Sequence, residues 1–79
     1  MQQVYMLTIR DLFTMRDGML AGAQAVIAIM DGDAEVDRMN FSGLCRNPHG
    51  YCRSYTGRPG LTAQLVSGPE SLNFIWDGN

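Results

Sequence analysis

Apolar residues fall at every second position in three stretches of this chain: Tyr5, Leu7 and Ile9 near its start, Leu61, Ala63 and Leu65 late in it, and Leu72, Phe74 and Trp76 close to its end. A period of two is the repeat of a half-buried strand, because successive side chains point to opposite faces. The spacing predicts a strand over 4–9. It also predicts a C-terminal hairpin in which 61–65 and 72–76 pair around Ser67-Gly68-Pro69-Glu70-Ser71, with Leu72, Phe74 and Trp76 on one face.

The middle of the chain is harder to read. After the first strand, Asp11 is placed to cap a short helical turn through Leu12, Phe13 and Met15, whereas Asp17-Gly18, framed by Met15 and Met19, is a turn signal. Helix and hairpin are both open there. Between Ala21 and Met30 the alanines favour helix while Val26, Ile27 and Ile29 favour strand. The glycines tip the balance, since a helix over 17–30 would carry two of them at about 1 kcal/mol each. A strand over 23–30 is expected to turn at Asp31-Gly32 and pair with 34–41. Beyond Ser42, Asn47-Pro48-His49-Gly50 and Gly57-Arg58-Pro59-Gly60 read as tight turns bracketing Tyr51–Thr56.

The fold class expected is therefore mainly β: a small single domain over 1–79 with an antiparallel sheet, hairpins and room for one short helix. The alternative is α+β with a helix within 17–30. With 79 residues the core is marginal, because a chain this short buries only about 60–65% of the surface it exposes when unfolded. Hydrophobic residues at 46% against 18% charged still indicate a folded chain. The longest unbroken apolar run, Ala25–Met30, is far short of the roughly 18 residues a membrane-crossing helix needs, and residues 1–6 lack the cationic start of a secretory signal. A soluble, cytoplasmic protein is expected, and the absence of lysine beside six arginines fits a GC-rich bacterial or phage coding sequence.

Half of the eight acids lie in Asp31-Gly32-Asp33-Ala34-Glu35-Val36-Asp37. The tract starts like a helix-loop-helix calcium loop but has Val36 where glycine is needed and Ser42 where a bidentate acid is needed. On a strand, Asp33, Glu35 and Asp37 would form a row on one face, each about 7 Å from the next. Such a row mimics the charge spacing of a nucleic-acid backbone and suits a basic groove; the plainer alternative is a solvated hairpin edge. The net charge of −2 and pI near 5.0 argue against direct binding of nucleic acid, which draws on many cation–phosphate contacts.

Cys45, His49 and Cys52 place two thiols and the only imidazole within eight residues. Their spacing lacks a C-x2-C knuckle and no fourth Cys or His exists, so a zinc site belongs to an alternative reading, as do a disulfide and a Cys–His nucleophile. No cofactor and no enzymatic activity are expected. Arg46, Tyr51, Arg53, Tyr55 and Arg58 have the composition of protein-interface hot spots.

A short chain with acidity concentrated at Asp31, Asp33, Glu35 and Asp37 and no catalytic motif resembles, in type, the small anti-defence proteins of phages, especially anti-CRISPR proteins. The resemblance matches no family motif and carries no residue roles. It implies stoichiometric inhibition by docking on a CRISPR effector subunit over the surface that handles DNA. The expected function is thus a protein-binding inhibitor whose partner-facing residues are Asp31, Asp33, Glu35, Asp37, Arg46, Tyr51 and Arg53. The alternatives are a zinc-assisted or basic-loop nucleic-acid binder using Cys45, His49 and Cys52, and an assembly subunit. Opposite charge on 31–37 and 46–58 would also permit a homodimer if the two segments lay on separate faces.

Overall fold

A computed structural model describes residues 2–78, and every regular element in it is a strand. The strands are β1 (Gln3–Arg10), β2 (Thr14–Arg16), β3 (Met19–Ala21), β4 (Ala23–Asp31), β5 (Ala34–Gly43), β6 (Tyr51–Gly57), β7 (Thr62–Ser67) and β8 (Asn73–Gly78). They form two three-stranded antiparallel sheets, ordered β6-β1-β8 and β5-β4-β7, and a separate two-stranded ribbon, β2-β3.

The sheets pack face to face with β1 and β4 at their centres. Tyr5, Leu7 and Ile9 of β1 and Ala25, Ile27 and Ile29 of β4 supply the core, each no more than 3% exposed. The alternation in 4–9 thus has its expected meaning. In 21–30 the strand reading holds and the helix alternative fails, because β4 is the central strand of its sheet and takes pairing from β5 and β7 on its two edges. Ala28, on the outer face, is buried as well. Apolar residues on both faces of the strand make a nearly continuous run, which is why its periodicity was weak.

The expected pair 23–30 with 34–41 forms and extends to 23–31 with 34–43. Its turn is at Gly32-Asp33, one residue later than expected, with Asp31 paired to Ala34 and Gly32 at φ 61°. No helical turn follows β1. Asp11 instead adopts φ 57°, Leu12 drops into the core, and its backbone exchanges two hydrogen bonds with Cys45 (3.0 and 2.8 Å). The chain then runs into the β2-β3 ribbon, which turns at Asp17-Gly18 with φ of 55° and 77°. Two positive φ values in a two-residue loop are the requirement of a type I′ turn, and Asp-Gly meets it.

The expected C-terminal hairpin is overturned. Both strands exist, but β7 pairs with β4 and β8 with β1, so the loop 68–71 arches from one sheet to the other. Leu72, Phe74 and Trp76 do share a face, and they meet Leu61 and Ala63 across the interior rather than along a ladder. Period two specifies which face of a strand is buried and says nothing about which strand lies beside it.

A second arch, 58–61, crosses the end of the sandwich between β6 and β7. The buried Tyr5 hydroxyl pins it, donating to the Arg58 carbonyl (2.7 Å) and accepting from the Leu61 N–H (3.1 Å). The molecule measures 48 × 24 × 14 Å and has two distinct ends. One carries the ribbon with loops 44–50 and 68–71; the other carries the acidic turn, the 58–61 arch and both termini of the described chain. Among the described residues no helix is long and apolar enough to cross a membrane.

Candidate functional site

The acidic tract does not form a row. β5 carries a bulge: Glu35 pairs with Met30 and Asp37 with Ile29, leaving Val36 with no opposite residue. An inserted residue reverses the side-chain alternation beyond it. Asp37, opposite the inward Ile29, therefore lies on the core-facing side of the strand and accepts a hydrogen bond from the Tyr55 hydroxyl (3.0 Å). Glu35 lies on the outer side, where Arg38 holds it through Nε (2.6 Å) and Nη2 (3.2 Å). Asp31 pairs with Arg58 at 3.1 Å. Of the four acids of the tract, only Asp33, at the exposed turn, has no such partner among the described residues.

These contacts shift two groups. Burial, then the hydrogen bond and charge of Asp37, raise the Tyr55 hydroxyl above its ordinary range. The hydrogen bond from Arg38 to Glu35, and the attraction between them, hold the Arg38 proton more firmly. The segments 31–37 and 46–58 thus do not occupy separate faces. They run along the same flank and, at Asp37–Tyr55 and Asp31–Arg58, satisfy one another within the chain.

Cys45, His49 and Cys52 are not brought together. Cys45 packs against the core at the bridge to Leu12, whereas Cys52, opposite Thr8, is exposed on the outer face of its sheet with Sγ 3.3 Å from Thr8 Oγ1. His49 is exposed on a turn held by Asn47, whose Oδ1 accepts from the His49 N–H (2.8 Å). Both thiols are free, and among the described residues no three of His, Cys, Asp and Glu are grouped to hold a metal ion. The alternation of β6 separates the thiols: Cys52 is even-numbered, and the inward positions of that strand are Tyr51, Arg53 and Tyr55.

The arginine and tyrosine cluster is partly assembled. Arg53, opposite the inward Leu7, reaches across to β5, with its guanidinium carbon 4.5 Å from the Phe41 ring centroid and 5.6 Å from that of Tyr51. Its Nη1 donates to the Asn40 carbonyl (3.2 Å), and the Phe41 and Tyr51 rings meet edge to face at 6.0 Å. Arg46 is further along, 5.9 Å over the Phe13 ring, and Arg58 is at the opposite end of the molecule. Between β5, β6 and the 44–50 loop lies a cleft of about 410 Å³, with Leu12, Phe41, Leu44, Tyr51, Asn47 and Arg53 in its walls. Gly50 lets this loop close against β1: its φ is 77°, and a Cβ there would sit 2.5 Å from the Ile9 carbonyl oxygen.

Two features lay outside the sequence-based expectation. Asn40 and Phe41 complete the seat of Arg53, and nothing in their spacing signals it, because the contact is made between sheets. The other is the ribbon, where Met19 is 72% exposed, Met15 58% and Leu20 39%. Its signal was present in Met15 and Met19 framing Asp17-Gly18. Comparison with protein-family models, with curated proteins and with solved structures gave no match.

Proposed function

We propose that this chain is a non-enzymatic protein-binding domain anchored by the ribbon Thr14–Ala21. The exposure of Met15, Met19 and Leu20 at one end of the long axis carries the reading. The ribbon pairs with neither sheet, and an isolated two-stranded hairpin is at best marginally stable in water. Three large apolar side chains on it add nothing to the core, whereas each is worth roughly 1.5–3 kcal/mol when fully buried against a partner. Methionine suits such a role because its flexible thioether adapts to irregular surfaces. The base is firm: the Ser71 hydroxyl donates to the Asp11 carbonyl (2.7 Å), with the Phe13 carbonyl at 3.1 Å, and the Leu12–Cys45 bridge lies beside it.

A second reading rests on the opposite end, where Asp31, Asp33, Glu35, Asp37 and Asp77 face only Arg38 and Arg58 among the described residues. This excess of negative charge suits a basic, nucleic-acid-handling surface, and with it the inhibitor role in the cytoplasm that the anti-CRISPR resemblance implies. Since Arg58, Arg38 and Tyr55 engage three of these acids, attraction would act through the field of that end, with Asp33 foremost.

One capture experiment separates the readings. The tagged native chain is passed through a bacterial lysate containing CRISPR effectors, beside a Met15→Ser, Met19→Ser, Leu20→Ser form and an Asp33→Asn, Glu35→Gln, Asp37→Asn form. A protein partner retained by the native and acid-neutralised forms and lost by the ribbon form supports the ribbon. The reverse pattern supports acidic blockade, and equal retention by all three forms overturns both.

A further inference from the structure

We propose that the cleft between β5, β6 and the 44–50 loop binds a small organic monocarboxylate with an apolar body, and that Arg53 clamps its carboxylate. The inference is independent of the ribbon and of the acidic end. It starts from the direction of Arg53. An arginine on the outer face of β6 would be free in water, but register with Leu7 turns this one inward, where its guanidinium lies over the Phe41 ring and near the Tyr51 ring, and the Asn40 carbonyl accepts from Nη1. Stacking and one hydrogen bond fix the plane of the fork and leave most of its five N–H donors unspent.

Among the described residues no carboxylate uses them. The two ion pairs among the described residues belong to Arg38 and Arg58, and the acid that shares this side of the flank, Asp37, is engaged by Tyr55. A partly buried cation that is held over an aromatic ring, and to which no carboxylate among the described residues is paired, is prepared for one. The cleft beside it holds about 410 Å³, within the range of small-molecule sites, and Arg53 is the only charged residue in its walls.

The chemistry of the ligand follows from the lining. One cation with a planar fork matches one carboxylate bidentately; a phosphate would call for further cationic donors that the walls lack. Beside the polar Asn40, Ser42 and Asn47, the walls offer apolar or aromatic surface at Leu12, Phe41, Leu44 and Tyr51, which suits a ring or a branched aliphatic group on the ligand. Leu44 is 52% exposed at the mouth, where it serves no core and would cover that group. Asn47, fixed by its turn bonds to His49 and Gly50, supplies an amide at the rim.

The same chemistry occurs in a free acid and in the C-terminal residue of a peptide, and the test has an arm for each. The full chain, labelled with 15N, is titrated with 3-phenylpropionate and with its amide, and separately with Gly-Gly-Phe and its C-terminal amide, while the Arg53 Nε–H and the backbone signals of 44–53 are followed. Saturable shifts with one or both acids, and shifts at least tenfold weaker with the amides, are expected; which acid binds identifies the source. Arg53→Lys should weaken binding about tenfold, and Arg53→Met should abolish it. Leu44→Asp, at an exposed position that the fold does not need, should abolish it too by placing a like charge at the mouth. Amides that bind as well as acids, neither acid binding at 10 mM, or native-like binding by either Arg53→Met or Leu44→Asp would overturn the proposal.

Discussion

Along the β7/β8 flank of the sandwich, the gap between sheets is filled by Ala63, Phe74 and Trp76 packed on the buried Leu61 and Leu72. The Trp76 ring stacks on Tyr5 with centroids 4.6 Å apart and planes 14° from parallel, and its Nε1–H donates to the Leu61 carbonyl (3.0 Å). Along the β5/β6 flank the same gap is spanned by polar contacts: Tyr55 to Asp37, and Arg53 to the Asn40 carbonyl over the Phe41 ring. Both flanks expose strand edges, which invite pairing with other chains, and inward charge is one device that blunts such an edge. One flank is closed by burying area and contributes stability. The other, outside the buried Met39 and Phe41 of β5, is closed by oriented polar groups, which contribute less to stability and leave a cation and a cleft available for recognition.

The largest expected difference between the flanks comes from Trp76→Ala. It removes the stack on Tyr5, the bond to Leu61 and much of the apolar fill, and should cost about 3 kcal/mol in chemical denaturation. Arg53→Met, its counterpart on the polar flank, keeps the apolar stem and loses a half-exposed stack and one hydrogen bond. It should cost about 1 kcal/mol or less in the same assay. A loss as large as that of Trp76→Ala would show that the β5/β6 flank is also a stability element and break the contrast.

Tyr55→Phe should have the smallest effect, about 0.5 kcal/mol near neutral pH, because the bond to Asp37 is exposed and screened by solvent. Its signature is the pH dependence. The folded-state pKa of Tyr55 is raised, so the neutral phenol is favoured by folding. That contribution is fully present below the unfolded pKa of about 10 and is lost as pH climbs through the raised folded value. The native protein should therefore lose stability above about pH 10 more steeply than Tyr55→Phe, read as denaturation midpoints across pH 8 to 11.5. Parallel curves would remove the Asp37–Tyr55 contact from the account of this flank.

Much of the fold was legible where burial alone is the signal. Tyr5, Leu7 and Ile9 alternate because one face of β1 is dry, and Leu72, just before β8, and Phe74 and Trp76 on it do so for the same reason. The candidate site was legible only as a set of residue types. Arg53 and Tyr51 were identified as partner-facing residues, yet the Phe41 and Asn40 that orient Arg53 are more than ten residues away in the chain and join it only when two sheets meet. The acidic row failed at a single residue, Val36, because a bulge is a property of the pair of strands and not of either strand alone.

The sequence by itself determined that the chain would fold mainly as strands and which residues of β1 would turn inward, since these follow from period-two burial; it marked Asp17-Gly18 as a turn signal without separating hairpin from helix, and placed the next turn one residue early. Only the tertiary structure decided that β7 and β8 belong to different sheets, that Asp37 and Glu35 point to opposite sides, that Cys45 and Cys52 are separated by a sheet, and that Arg53 lies over the Phe41 ring beside an open cleft. These are facts of strand partnership. Free energy is gained by matching faces across the interior, and many arrangements of neighbours satisfy the same local pattern until the long-range contacts select one.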